Sequence, residues 1–173
     1  MAAPGTPSWV AGIIARDLRA LRREVEAYAN ERDLWRTAPG VANPGGNLAL
    51  HCAGNLQHFI GGVLGGSGYV RDRDAEFGRR DVPRAELLAD IDAAIAAVRR
   101  GLERVTPQQW DAQYPHPVGG VRLTTGEFML HLAVHLGYHL GQVDYHRRLV
   151  TGDGKTVGAL PPAELSTAQP VPK

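Results

Sequence analysis

Cysteine is almost missing from this chain: Cys52 stands alone among 173 residues. That excludes an internal disulfide, a CxxC redox pair and any cysteine-rich zinc module. An excess of one charge is missing too. Lys and Arg total 19 and Asp and Glu total 18, a net +1, so no bulk electrostatic pull directs the protein to nucleic acid or to a membrane surface. The longest uncharged apolar stretches fall well short of the ~20 residues that a membrane span needs. No basic leader precedes the apolar residues near the start, and Arg16 interrupts them, so a secretory signal is not expected. These absences together predict a cytoplasmic protein.

What is present is an ordinary globular balance, 43% hydrophobic and 21% charged, of a length that suits one domain with a real core. Apolar residues at helical spacing predict a helix over 9–30, with Trp9, Ile13, Leu18, Leu21, Val25 and Tyr28 on one face. The PGVANPGG stretch breaks it. Asn47 is then the expected N-cap of a second helix reaching residue 64. The charged segment 69–82 is aperiodic and reads as an exposed connection. Pro83 opens a third helix, to about residue 105, with the stripe Leu87, Ile91, Ile95, Val98 and Leu102. Prolines and a Gly pair over 106–123 leave room for a short irregular hairpin. Thr124-Thr125-Gly126-Glu127 matches a capping box for a fourth helix to Val150. Strand signal is scarce, so the expected architecture is an all-α four-helix bundle over 1–150, with a loosely attached tail over 151–173.

Histidine is the one residue type in surplus: of 7 in the chain, His131, His135, His139 and His146 lie on the fourth helix. At ~100° per residue these four and Gln142 share a stripe about 80° wide. The other directions of the helix are mostly apolar, which predicts burial nearly all round, and buried imidazoles need partners. On the second helix His51, Asn55 and His58 fall within about 60° of one another. Two histidines four residues apart can hold one metal ion, and a third from another helix completes a His₃ site with one position left open. Taken singly, His58, His116 and His146 are read as hydrogen-bonded structural histidines. Glu127, one turn before His131, is a candidate acceptor for it.

Several motifs fail. HLAVH and HLGYH have leucine where HExxH needs glutamate, and no ExxH pair of the di-iron bundles occurs. Gly154-Lys155-Thr156 lacks the upstream glycine of a phosphate loop. Cys52 points away from its neighbour His51 and reads as a small core residue. Arg71-Asp72-Arg73-Asp74 with Glu76 alternates in charge and reads as a solvated loop; its other possible role is to line the mouth of the site.

The segment Asn47-Leu48-Ala49-Leu50-His51, paired with His135-Leu136-Gly137-Tyr138-His139-Leu140-Gly141-Gln142, resembles the DinB-like superfamily, with its YfiT-type proteins and thiol-dependent transferases and isomerases. The resemblance covers about 10–150. It implies a bundle in up-down-down-up order, often a homodimer, and a divalent metal on His51, His135 and His139, with His131 as the rival ligand. Zinc is the first expectation for the metal, with nickel or iron as alternatives, because imidazole suits them all. It also implies transfer chemistry with a small-thiol cosubstrate. On that reading Gln142, Asn55 and Tyr138 support the ligands or touch substrate. Arg71 and Arg73 would hold an acidic thiol at the mouth. The expected partner is a small thiol or acidic substrate, with no nucleic acid and no membrane. A metal-dependent hydrolase, a non-catalytic metal-binding stress-associated dimer and a plain structural bundle are the competing readings.

Overall fold

The computed structural model describes residues 5–158 and 160–171. It is all-α: among the described residues no β-strand forms, only two isolated bridges. α1 spans Thr6–Glu26 and buries Leu18, Leu21 and Val25 as its periodicity predicts, but at its start Val10 and Ile14 face the core instead of Trp9, which is exposed, and Ile13. A 3-10 turn, Glu31–Trp35, follows, capped by the Asn30 side chain accepting from the Arg32 N–H at 3.0 Å.

α2, Gly45–Leu56, starts three residues before its expected first position, Leu48, and is buried along its whole length. Asn47 is therefore not the N-cap; Pro44 holds that place. Gly45 and Gly46 belong to the helix because only glycine fits there: a Cβ on Gly46 would overlap the Trp35 ring, and one on Gly45 the Tyr28 hydroxyl. The chain continues as a wider π-helical coil, Gln57–Leu64, close to the predicted end at 64.

The segment expected to be an exposed connection contains a helix. α3, Arg73–Gly78, is capped by Asp72 Oδ1 accepting from the Ala75 N–H at 2.9 Å. Arg73 and Asp74 face water, but Glu76 is buried. α4, Arg84–Glu103, buries Leu87, Ile91, Val98 and Leu102. α5, Pro107–Asp111, has a full capping box between Thr106 and Gln109. Val118 and Val121 then bond each other across Gly119-Gly120, both at positive φ. α6, Thr125–Thr151, begins at the predicted cap, where the Thr124 hydroxyl accepts from the Glu127 N–H. It ends at Gly152, whose φ of 72° suits a glycine C-cap.

α1 packs on α4 and α6, and α2 packs on the same two helices. One expectation fails here. α6 is not buried all round: Leu130, Val134, Tyr138, Tyr145 and Leu149 are exposed. Its neighbours cover the flanks towards α1 and α2 and leave the opposite side open. A buried ion pair, Arg147 Nε to Glu24 Oε2 at 2.6 Å, fixes α6 against α1. After α6 the chain returns along α1: Arg147 donates to the Lys155 carbonyl, Arg23 to that of Val157, and Arg19 pairs with Glu164 at 2.8 Å.

Candidate metal centre

The site forms where α2 faces the middle of α6. Asn47 shapes one wall. Its Nδ2 donates to the carbonyls of Glu76, at 2.7 Å, and Arg79, at 3.0 Å, and so ties α3 to α2. Gly54 completes the approach, because a Cβ there would overlap Glu76 Oε1. Glu76 thereby enters the interior beside His51.

Glu76 accepts three hydrogen bonds: from Arg71 Nε and Nη2, both at 2.7 Å, and from His51 Nδ1 at 2.9 Å. Burial opposes its ionisation, but the bonds from Arg71 and His51 outweigh it and hold the carboxyl below its usual range. Because the carboxylate only accepts, His51 must carry its proton on Nδ1. Its Nε2 then presents a bare lone pair to α6.

Two imidazoles meet it there. His135 Nε2 lies 3.5 Å from His51 Nε2 and 3.1 Å from His139 Nε2. The Gln142 amide oxygen lies 2.7 Å from His139 Nδ1 and accepts from it, which leaves the second Nε2 bare as well. His135 can donate one proton to one of these lone pairs and never to both. Three nitrogens, all within 4.8 Å of one another, therefore converge with too few protons among them. A cation removes the conflict. The observed 3.1 and 3.5 Å separations bracket the edge of about 3.3 Å expected for a tetrahedron of ~2.0 Å metal–nitrogen bonds. Burial, then the neighbouring imidazoles, pushes the His135 pKa down to about 4, and burial likewise lowers His139. Neutral, lone-pair-bearing rings are the form that a metal takes. The donor set fits a divalent ion, and the zinc-type His₃ arrangement leaves a fourth position open.

The other sequence candidates fall in different places. His131 is exposed and stacks between Phe128 and His135, with ring centroids 6.1 and 5.9 Å away, and Glu127 is exposed beside it. Asn55 is buried one turn after His51, and its Oδ1 has no partner among the described residues. Tyr138 is exposed and sets its ring edgewise on His139 at 5.3 Å. Arg71 reaches the site with Nε and Nη2 both 2.7 Å from Glu76, and Nη2 also passes His51 Nδ1 at the longer 3.3 Å. Arg73 does not, and sits over the Phe77 ring at 5.2 Å. Phe77 in turn packs on His51 at 4.8 Å. Cys52 is fully enclosed, and burial pushes its thiol up to about 12, so it is no nucleophile. His146 stands apart from the three converging histidines. Its Nε2 donates to the Arg36 carbonyl at 2.8 Å, and its Nδ1 accepts from the Tyr28 hydroxyl at 2.7 Å. The residue that sequence reasoning missed is Glu76. Its six-residue helix is too short to show a period, and the alternating charges around it mimic a solvated loop.

The family model of the DinB superfamily matches residues 14–143, about three quarters of the chain, and that span includes His51, His135 and His139. No curated protein matches the chain.

Proposed function

We propose, for a chain that belongs to the DinB superfamily, that it is a metal-dependent transferase working with a small thiol. His51, His135 and His139 would hold the metal, with zinc preferred. The observation that carries this is the convergence of three Nε2 atoms, two of them stripped of protons by Glu76 and Gln142. The ion would supply a positive charge that lowers the pKa of a thiol or water near neutral pH. The chain's own residues do the rest. Glu76 orients His51 and raises its basicity, and Arg71 keeps Glu76 ionised. Gln142 orients His139. Asn55, whose buried Oδ1 has no partner among the described residues, would accept a hydrogen bond from a bound molecule.

The up-down-down-up order belongs to the same proposal. Supporting it, Arg84 at the start of α4 bonds the Tyr28 carbonyl just past the end of α1. The pairs Gln57 with Asp90 and Gly65 with Gly101 rise together in number. His51 with His135, and Phe59 with Phe128, run oppositely. A homodimer through the exposed N-terminal half of α6, at Leu130 and Val134, is the matching proposal for assembly, supported by their unpartnered apolar side chains.

Metal analysis of the purified protein, followed by titration of the cobalt-loaded form with a small thiol, tests the function. The expected result is one metal per chain in wild type, His116→Ala and His131→Ala, and loss of metal in His51→Ala and His139→Ala. A thiolate charge-transfer band should appear only with metal present. Full occupancy in His51→Ala would sink the two-helix site. Metal binding with no thiol band would leave the hydrolase or non-catalytic reading.

A further inference from the structure

A pocket of about 310 Å³ opens between the loop after the 3-10 turn and the C-terminal half of α6. Val41, Ala42, Leu48, Gln142, Tyr145 and Leu149 line it, and no residue lining it carries a formal charge. Its polar side chains are Asn43, Gln142 and His146; His146 has both ring nitrogens engaged, with Tyr28 and with the Arg36 carbonyl. These bonds fix the strand of loop that forms the far wall.

The pocket is the neighbour of the histidine cluster along α6, although none of the three histidines lines it. Leu48 precedes the ligand His51 by three residues, and Gln142 follows the ligand His139 by three, so each stands one helical turn from a ligand. Both line this pocket. Gln142 is a shared wall: its oxygen accepts a hydrogen bond from His139 Nδ1 while its side chain lines the cavity. Along α6 the lining residues lie from about 4.5 Å to about 15 Å beyond His139.

We infer that this pocket binds the neutral, apolar arm of the ligand whose donor atom reaches the three histidines. The inference rests on the proposed metal–thiol reading and adds the class of substrate: an uncharged aromatic or aliphatic group, joined to the donor by a linker of several atoms. An acidic arm finds no cation here. An apolar arm gains the burial of its own surface and covers Val41, Tyr145 and Leu149.

Three probes test it on the full chain. Phenylbutanol has the arm without a thiol and is titrated into metal-free protein, with binding read from the NMR signals of His146 and Tyr145. Phenylbutanethiol and mercaptoethanol are titrated into cobalt-loaded protein, with binding read from the thiolate band. The alcohol should bind saturably to wild type. The aryl thiol should bind about tenfold or more tighter than mercaptoethanol. Ala42→Trp fills the pocket and Tyr145→Ala removes a wall; both positions are exposed, so both variants should keep their melting temperature and metal content. In each, alcohol binding should be lost and the thiol ratio should fall to about parity. Equal affinity of the two thiols in wild type, or alcohol binding unchanged in both variants, overturns the inference. If the alcohol binds as expected but neither thiol gives a cobalt band, the pocket stands as a ligand site and the metal–thiol reading falls.

Discussion

Replacing Glu76 by glutamine tests the wiring of the site without touching a ligand. The amide has nearly the shape of the carboxyl but loses its charge and can donate as well as accept. In the native arrangement the carboxylate accepts two bonds from Arg71 at 2.7 Å and one from His51 at 2.9 Å. After the change His51 is free to take the other tautomer, with its proton on the nitrogen that should face the metal. Removing such a supporting acceptor lowers metal affinity by about 10–100-fold, or ~1.4–2.7 kcal/mol. The apo protein should also be destabilised by about 1.5–3 kcal/mol, since bonds to a charged group are lost and Arg71 is left half-buried without its counter-charge. Competition against a chelator reads the first effect and urea unfolding of chelated protein reads the second. The acid limb gives an independent check. Glu76 has a folded pKa below its ordinary 4.5, so its contribution is present above that value and lost as the pH falls through the depressed one; the variant should lack this loss. Arg71→Ala should follow Glu76→Gln in metal affinity, and Arg73→Ala should match wild type. Affinity within twofold of wild type in Glu76→Gln, with His51→Ala inactive in binding, would refute the tautomer argument.

Three further outcomes are expected. Arg147→Met strands Glu24 in the interior, where both partners of the pair are 1% exposed; urea unfolding should show a cost of about 3–5 kcal/mol, much of it recovered when Glu24→Leu is added. His146 is held neutral chiefly by burial, its pKa below the ordinary 6.5. The unfolded chain therefore takes up that proton first, and stability is full above about pH 6.5 and declines as the pH falls below it; His146→Gln should flatten this decline in chelated protein. Val134→Glu, at a position 73% exposed, should convert a dimer to a monomer in light scattering with the melting temperature unchanged, and a wild type that is already monomeric would remove the α6 interface.

The sequence carried the long helices because their burial is regular. The Leu87 to Leu102 stripe and the Thr124 cap place α4 and α6 within a residue or two of where they stand. Helical spacing put His135 and His139 on one stripe together with His131 and His146; the choice of that pair with His51 came from the resemblance to the DinB-like superfamily. The sequence could not carry what depends on contacts between distant segments. Gly45 and Gly46 look like breakers until Trp35 and Tyr28 are packed over them. Asn47 has the chemistry of a cap, yet its amide serves two carbonyls about thirty residues later. Arg147 finds its buried partner Glu24 123 residues away, a pairing that no local pattern displays. Apolar residues around all of α6 suggested full burial, but composition counts directions without saying how many have a neighbour.

That open side of α6 bears on chemistry. The histidine stripe runs along the border between the helix's covered and uncovered faces. His51, on the enclosed α2, is 6% exposed, while His135 and His139 are half-buried. The inner histidine is thus held by a buried carboxylate whose charge the surrounding protein screens weakly, and the outer pair sits at the edge of water. A site sunk wholly in the core would satisfy its metal and admit nothing. One wholly on the surface would give up the weak screening that makes the Glu76–His51 bond strong. Here the Glu76 side supplies rigidity and the α6 side supplies access, and the pocket beyond Gln142 lies on the accessible side. The placement follows from local facts: α3 covers α2 over Gly54, and among the described residues no element covers α6 opposite.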